Sequence, residues 1–219
     1  MMRVERFFSP GDLEEIAAAV REAETGTAGE IVPFAVSHSD HYEAATWKGA
    51  VLGALLAAAA AAAVHRFAGL WGGYLPGWIL APPLVGGALG YLAAAVIRPL
   101  RLFLADPAVV EHHVRVRATA AFVENEVFRT RERTGVLIFL SLFERRVVVL
   151  GDSGINARVQ QHEWDAIVAE VVRGMREGAP GKALAAAIRR CGELLARRGV
   201  EVRADDTDEL PDQLRLKEE

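Results

Sequence analysis

Cysteine is almost missing from this chain: there is one, Cys191, in 219 residues. A single thiol cannot close an internal disulfide, which fits a reducing compartment. It falls in the helical pattern Ala183 to Arg198, where a thiol is expected to be buried and inert. An excess of positive charge is missing too. Lys and Arg number 25 against 29 Asp and Glu, a net charge of -4. That gives no reason to expect nucleic acid, whose binding needs a basic face. The first residues, Met1 to Phe8, include Arg3, Glu5 and Arg6 and lack the apolar core of a secretory signal. The amino-terminal part is therefore expected to begin in the cytoplasm. There is no cysteine in a phosphate loop and no glycine-rich phosphate cradle, so no organic cofactor is expected.

Apolar residues are plentiful but unevenly spread. Gly49 to Val64 carries no charge and no proline, between Trp47-Lys48 and His65-Arg66. Leu75 to Ile97 is likewise uncharged and ends at Arg98 and Arg101, with Pro82 and Pro83 inside it. A helix needs about 20 apolar residues to cross the hydrocarbon of a bilayer. The first run is slightly short, and Trp47 and a snorkelling Lys48 extend it. The prolines are expected to kink the second. Phe67, Trp71, Tyr74 and Trp78 supply interfacial aromatics. These patterns predict two transmembrane helices in a hairpin over residues 47–98. Gly86 and Gly90, with Gly87 and Ala94 nearby, permit close packing on the alanine run of the first helix; the same stripe could serve a homo-oligomer. Lys48, Arg98, Arg101, Arg115 and Arg117 flank the hairpin, against Arg66 alone in its loop. Positive-inside then places both flanks in the cytoplasm, beneath an inner or plasma membrane.

The flanks read as one split domain of α/β class: residues 1–46 and 99–203, followed by an acidic tail, 204–219. Ser9-Pro10-Gly11-Asp12 opens a helix to about Glu24, and Glu30 to Ser37 reads as a strand. After the hairpin, Asp106-Pro107 starts a helix to about Arg131. Strands follow at Val136–Leu142 and Val147–Leu150, then helices at about 161–177 and 181–198. Val200–Arg203 is a candidate last strand. The expected sheet is mixed, of about four strands, with helices on both faces. A helical crossover makes the first two strands parallel, and the tight turn Glu144-Arg145-Arg146 makes the third antiparallel to the second. Glu30, Thr134 and Asp152 then converge at one end.

Thr134-Gly135-Val136-Leu137-Ile138-Phe139-Leu140-Ser141-Leu142-Phe143-Glu144-Arg145, with Gly151-Asp152-Ser153-Gly154-Ile155, resembles the TPM-domain family, also called thylakoid acid phosphatase-like. Trp164, the helix to Glu177, and Leu184 with Ile188 to Leu195 continue the likeness, and Gly29-Glu30-Ile31-Val32-Pro33 resembles the family's first strand. The tail Asp205 to Asp212 is similar to that of a bacterial membrane-embedded branch, which usually has Asn where Asp208 stands. The resemblance implies a mixed sheet covered on both faces. Some members are phosphatases or bind divalent metal, often Ca²⁺; others assist assembly or repair of membrane complexes. Two features depart from the main branch. The usual Gly-x-Gly turn is lengthened to Gly151-Asp152-Ser153-Gly154-Ile155-Asn156, and the membrane helices lie inside the domain.

Glu30 with Asp152 could hold Ca²⁺ or Mg²⁺, which take oxygen ligands; alternatively Glu30 caps backbone and Asp152 shapes its turn. His38-Ser39-Asp40-His41 and His112-His113 have unspecific metal spacing. The acidic tail reads as a solvated terminus. Arg129, Arg131, Arg133, Arg145 and Arg146 read as solvent-facing, in reach of anionic lipid heads. The expected function is a membrane-anchored binding or scaffold module, open to divalent-cation dependence, that assists another membrane protein or complex. The alternative is a metal-assisted phosphatase acting on phosphomonoesters.

Overall fold

A computed structural model describes residues 7–67, 76–200 and 209–217. The chain forms two compact units: Met1–Ser39 with His112–Glu219, and Asp40–Glu111.

The first unit is a four-stranded mixed sheet. Helix α1 (Pro10–Glu24) precedes strand β1 (Glu30–Val36). Ser9 caps it: the Asp12 N–H donates to Ser9 Oγ, and the Ser9 N–H to the Asp12 carboxylate. Later come α5 (Pro107–Glu124), β2 (Gly135–Ser141), β3 (Arg146–Gly151), a single turn α6 (Ser153–Asn156), α7 (Gln161–Arg176), α8 (Pro180–Arg197) and β4 (Arg215–Lys217). The sheet order is β3-β2-β1-β4. β1 runs parallel to β2, from Glu30 opposite Gly135 to Val36 opposite Ser141, and parallel to β4; β3 is antiparallel to β2. Every residue of β1 and β2 is buried, as expected for parallel strands covered on both faces.

Alternation divides those residues between two layers. Ile31, Ala35, Val136, Ile138 and Leu140 pack into the main core with Ile16 and Val20 of α1, Trp164 and Ile167 of α7, and Leu184 and Ile188 of α8. On the other face Phe34 stacks on Phe139 at 6.0 Å, and the Arg117 guanidinium of α5 lies 5.8 Å over the Phe34 ring. α1 and α8 touch closely because Gly192 has no side chain; a Cβ there would lie 2.7 Å from that of Ala23.

The expected strands and most helices are present to within a residue or two. α5 differs: it ends at Glu124, not near Arg131, because Glu126 takes φ 53° and turns the chain. Residues 201–203 of the candidate last strand lie outside the described residues. Among the described residues the fourth strand is Arg215–Lys217. Its Leu214-Arg215-Leu216-Lys217 alternation is masked in sequence by the surrounding charge, so the tail is not wholly solvated.

The second unit holds α2 (Glu43–Phe67), α3 (Pro76–Val96) and α4 (Arg98–Leu104). α3 runs through Pro82 and Pro83 as one helix. Residues 68–75, including Trp71 and Tyr74, lie outside the described residues. α2 and α3 are locked by four glycines. A Cβ on Gly53 would strike the Gly86 carbonyl oxygen, one on Gly86 the Gly53 oxygen, and one on Gly90 the Gly49 oxygen. Each pair is spaced i, i+4, which puts both on one face. The nearest neighbours of Gly86 and Gly90 are thus Gly49 and Gly53, with Ala57 of the alanine run beside Gly86. At the other end Arg101 donates to the carbonyls of Ala94 (3.1 Å) and Ala95, and Lys48 Nζ to Leu104 O (3.2 Å). Cations there complement the carbonyl end of α3.

Gly53→Val should force the helices apart and lower the melting temperature in detergent, since overpacking a tight contact costs about 1–3 kcal/mol. Thr119→Val, on the exposed side of α5, should leave it within a degree or two. Parallel thermal melts compare the two.

Candidate functional site

The start of the parallel strands gathers the acidic residues. Glu30 N–H donates to Thr134 O (3.3 Å), and Asp152 N–H donates to Gly135 O (2.9 Å). Glu30, Thr134 and Asp152 therefore share one end of the sheet. All three are buried. Their side chains have separate partners. The Glu30 carboxylate accepts the N–H groups of Glu209 and Leu210, each at 3.2 Å. The Asp152 carboxylate accepts the Ser153 N–H at 2.6 Å as the cap of α6, and its Oδ2 lies 3.2 Å from Arg133 Nε. Arg133 stands at φ 60°. Gly154 is packed so closely that a Cβ would strike the Glu132 oxygen and lie 2.8 Å from that of Arg133. The lengthened turn after β3 thus folds back on the segment before β2.

Both carboxylates offer hard oxygen donors, the kind Ca²⁺ or Mg²⁺ requires. Both already face protein donors, and the Arg133 guanidinium occupies the outer side of Asp152. Among the described residues no group of three or more His, Cys, Asp and Glu side chains is gathered to hold a metal. His38 Nδ1 shares a hydrogen with Ser37 Oγ at 2.8 Å, and the rings of His112 and His113 meet edge to face at 5.9 Å. Cys191 is fully buried, and desolvation pushes its thiol from 9.0 up to about 12. It is no nucleophile.

Two features at this sheet escape a reading of the sequence. At the finishing end, the Glu144 carboxylate accepts the Ser39 N–H (2.9 Å) and the Ser141 hydroxyl, while Ser39 Oγ and Ser141 Oγ lie 2.7 Å apart. The one signal was Ser141, a polar residue in an apolar strand, three before Glu144. Secondly, residues 209–217 form a strap along β1. Arg131 N–H donates to the Glu209 carboxylate (3.0 Å), Arg21 pairs with Asp212 (3.6 Å), Arg215 donates to Asn125, and Lys217 to Glu124 (3.1 Å). No local pattern announces contacts that run nearly the length of the chain.

Glu30→Ala should leave two strap amides without their acceptor. Bonds to a charged acceptor contribute about 1.5–3 kcal/mol, so amide exchange at Glu209 and Leu210 should quicken by tenfold or more. Unchanged protection would remove Glu30 as the clamp. For Cys191 the raised thiol sets a pH dependence. The unfolded thiol ionises above about 9 while the folded one keeps its proton to about 12. Its contribution to stability is complete below pH 9 and is lost as pH rises between those values, by up to about 1.4 kcal/mol per pH unit. The difference between wild type and Cys191→Ala, followed by denaturant titration from pH 8 to 11, should show that slope.

A family model, the TPM domain, matches residues 108–194, which spans α5 through most of α8. The NMR structure of BA42 protein from the psychrophilic bacterium Bizionia argentinensis is similar in fold. The match covers 99% of this chain and 100% of that one, at 20% sequence identity and a TM-score of 0.60. No curated protein matches. The matched stretch, residues 108–194, holds β2, β3, the α6 turn and most of the two closing helices, and over that length the chain is similar to the TPM domain.

Proposed function

We propose that this chain is a membrane-anchored binding module: the α2–α3 hairpin sits in a bilayer, and the α/β domain engages another membrane protein. One observation carries the anchoring. Both helices are long and apolar enough to cross a membrane, and no residue in the apolar window of α2 is buried. The glycine faces turn inward. Leu55, Leu56, Leu84, Leu89 and Val85 turn outward, each more than half exposed. In water such a surface would be costly, at about 25 cal/mol per Å²; in lipid it is solvated. At 1.5 Å per residue, the 25 residues of α2 reach about 37 Å and the 21 of α3 about 31 Å, enough for the ~30 Å hydrocarbon core. Lys48, Arg98 and Arg101 on the flanks, against Arg66 in the last turn of α2, favour a cytoplasmic domain.

Binding is favoured over catalysis because the conspicuous groups are in structural use. Glu30 holds strap amides, Asp152 caps α6 beside Arg133, and Cys191 is sealed in the core. A divalent cation at Glu30 and Asp152 would have to share the two carboxylates with those donors.

The chain should stay in the membrane pellet after alkaline carbonate extraction, and tags on both termini should report the cytoplasmic side. Extraction into the supernatant, or termini on opposite faces, would end the anchoring proposal. Titration with Ca²⁺ or Mg²⁺ in detergent should give no saturable heat. A saturable heat abolished by both Glu30→Ala and Asp152→Ala would instead restore the cation-dependent reading. Phosphomonoester turnover lost in the same variants would restore the phosphatase.

A further inference from the structure

The edge of β1 is defended in two different ways along its length. Residues of one parity turn their N–H groups toward β2, as Glu30 does to Thr134 O. The other parity faces the outer edge. There the Ile31 N–H donates to the Glu24 carboxylate at 2.8 Å. Pro33 has no N–H to offer. These two positions close the first half of the edge permanently. In the second half, Ala35 and Ser37 rely on β4: Ala35 stands opposite Leu216, and Ser37 N–H donates to Lys217 O. Among the described residues this half is covered by the three paired residues of β4.

Past the Glu30 clamp at its start, the cover is lightly held. Leu214 and Leu216 pack on the core and are only partly buried. The other ties are polar. Arg21 is 60% exposed against 14% for its partner Asp212, while Lys217 and Glu124 are 46% and 48% exposed. Exposed pairs of this kind add little and weaken with salt. The strand beneath is fully buried.

We propose that the strap Glu209–Lys217 is a built-in stand-in for a partner's strand. The open half of β1, Phe34 to Ser37, would then accept an extended peptide running parallel to it. This rests on the binding-module reading and names its surface. The strap specifies the chemistry. The Glu30 carboxylate takes two successive backbone N–H groups near the start. Two apolar residues spaced two apart pack where Leu214 and Leu216 do. Each is followed by a basic residue, which reaches Asn125 or Glu124 as Arg215 and Lys217 do. Main-chain bonds give such strand addition its affinity, and alternate side chains its specificity. The partner is a segment of another protein with the alternation apolar-basic-apolar-basic, and it must compete with a strap tethered to the same chain.

The test uses the full chain in detergent and a fluorescent peptide with the sequence of residues 209–217, read by anisotropy. Wild-type protein should bind it weakly. Leu216→Asp, which loosens the resident strap, should bind it at least about tenfold more tightly, and so should Lys217→Glu, a surface change that spares the core. A scrambled peptide should not bind. Equal affinity for wild type and both variants, equal binding of the scrambled peptide, or no binding to any form would overturn the proposal. The membrane readouts are independent of this assay, so either reading can fail while the other stands.

Discussion

The parallel pairing of β1 with β2 is the constraint on which the rest depends. Glu30 to Val36 lies opposite Gly135 to Ser141, yet the whole hairpin unit falls between them in sequence. Two strands can be parallel neighbours only if the chain between them comes back to its starting end. The pairing also sets the layers. It puts Ile31 and Val136 on the face of α1, α7 and α8, and Phe34 and Phe139 on that of α5.

The hairpin solves a different packing problem. Two chains of alanine, leucine and glycine have little to distinguish one face from another. Glycines at i and i+4 on both helices choose the face by removing side chains, so that backbone meets backbone between Gly49 and Gly90 and between Gly53 and Gly86. Dispersion contacts between close backbones can hold helices together where no hydrophobic force acts between them. The larger apolar side chains are left pointing away. In the proposed setting, that outward layer is what the lipid meets.

Burying a sheet edge demands an answer for every N–H. This domain gives three kinds: a carboxylate from α1, a proline, and a short strand from the far end of the chain. The first two are local to the sheet and permanent. The third depends on contacts made by residues that lie far apart in sequence, such as Glu30 with Leu210 and Asn125 with Arg215. The acidic pair at the same end follows similar logic. Glu30 and Asp152 share an end of the sheet because the strands bring them there, but each carboxylate is turned to its own backbone donors.

Much of this architecture was already present in local pattern. The apolar runs of Glu30–Val36, Val136–Leu142 and Val147–Leu150, the Ser9-Pro10 helix start and the two uncharged runs determine the elements, since each signal acts within one turn or one strand. That Glu30 and Asp152 share one end of the sheet followed from topology alone. What only the tertiary structure decided are the non-local matters. Gly86 and Gly90 meet glycine more than alanine, Glu144 ties Ser39 to Ser141, Arg133 covers Asp152, and the charged tail supplies the fourth strand. A strand's edge partner is chosen by hydrogen bonds and charges that come together only after the sheet exists, and no window of neighbouring residues contains them.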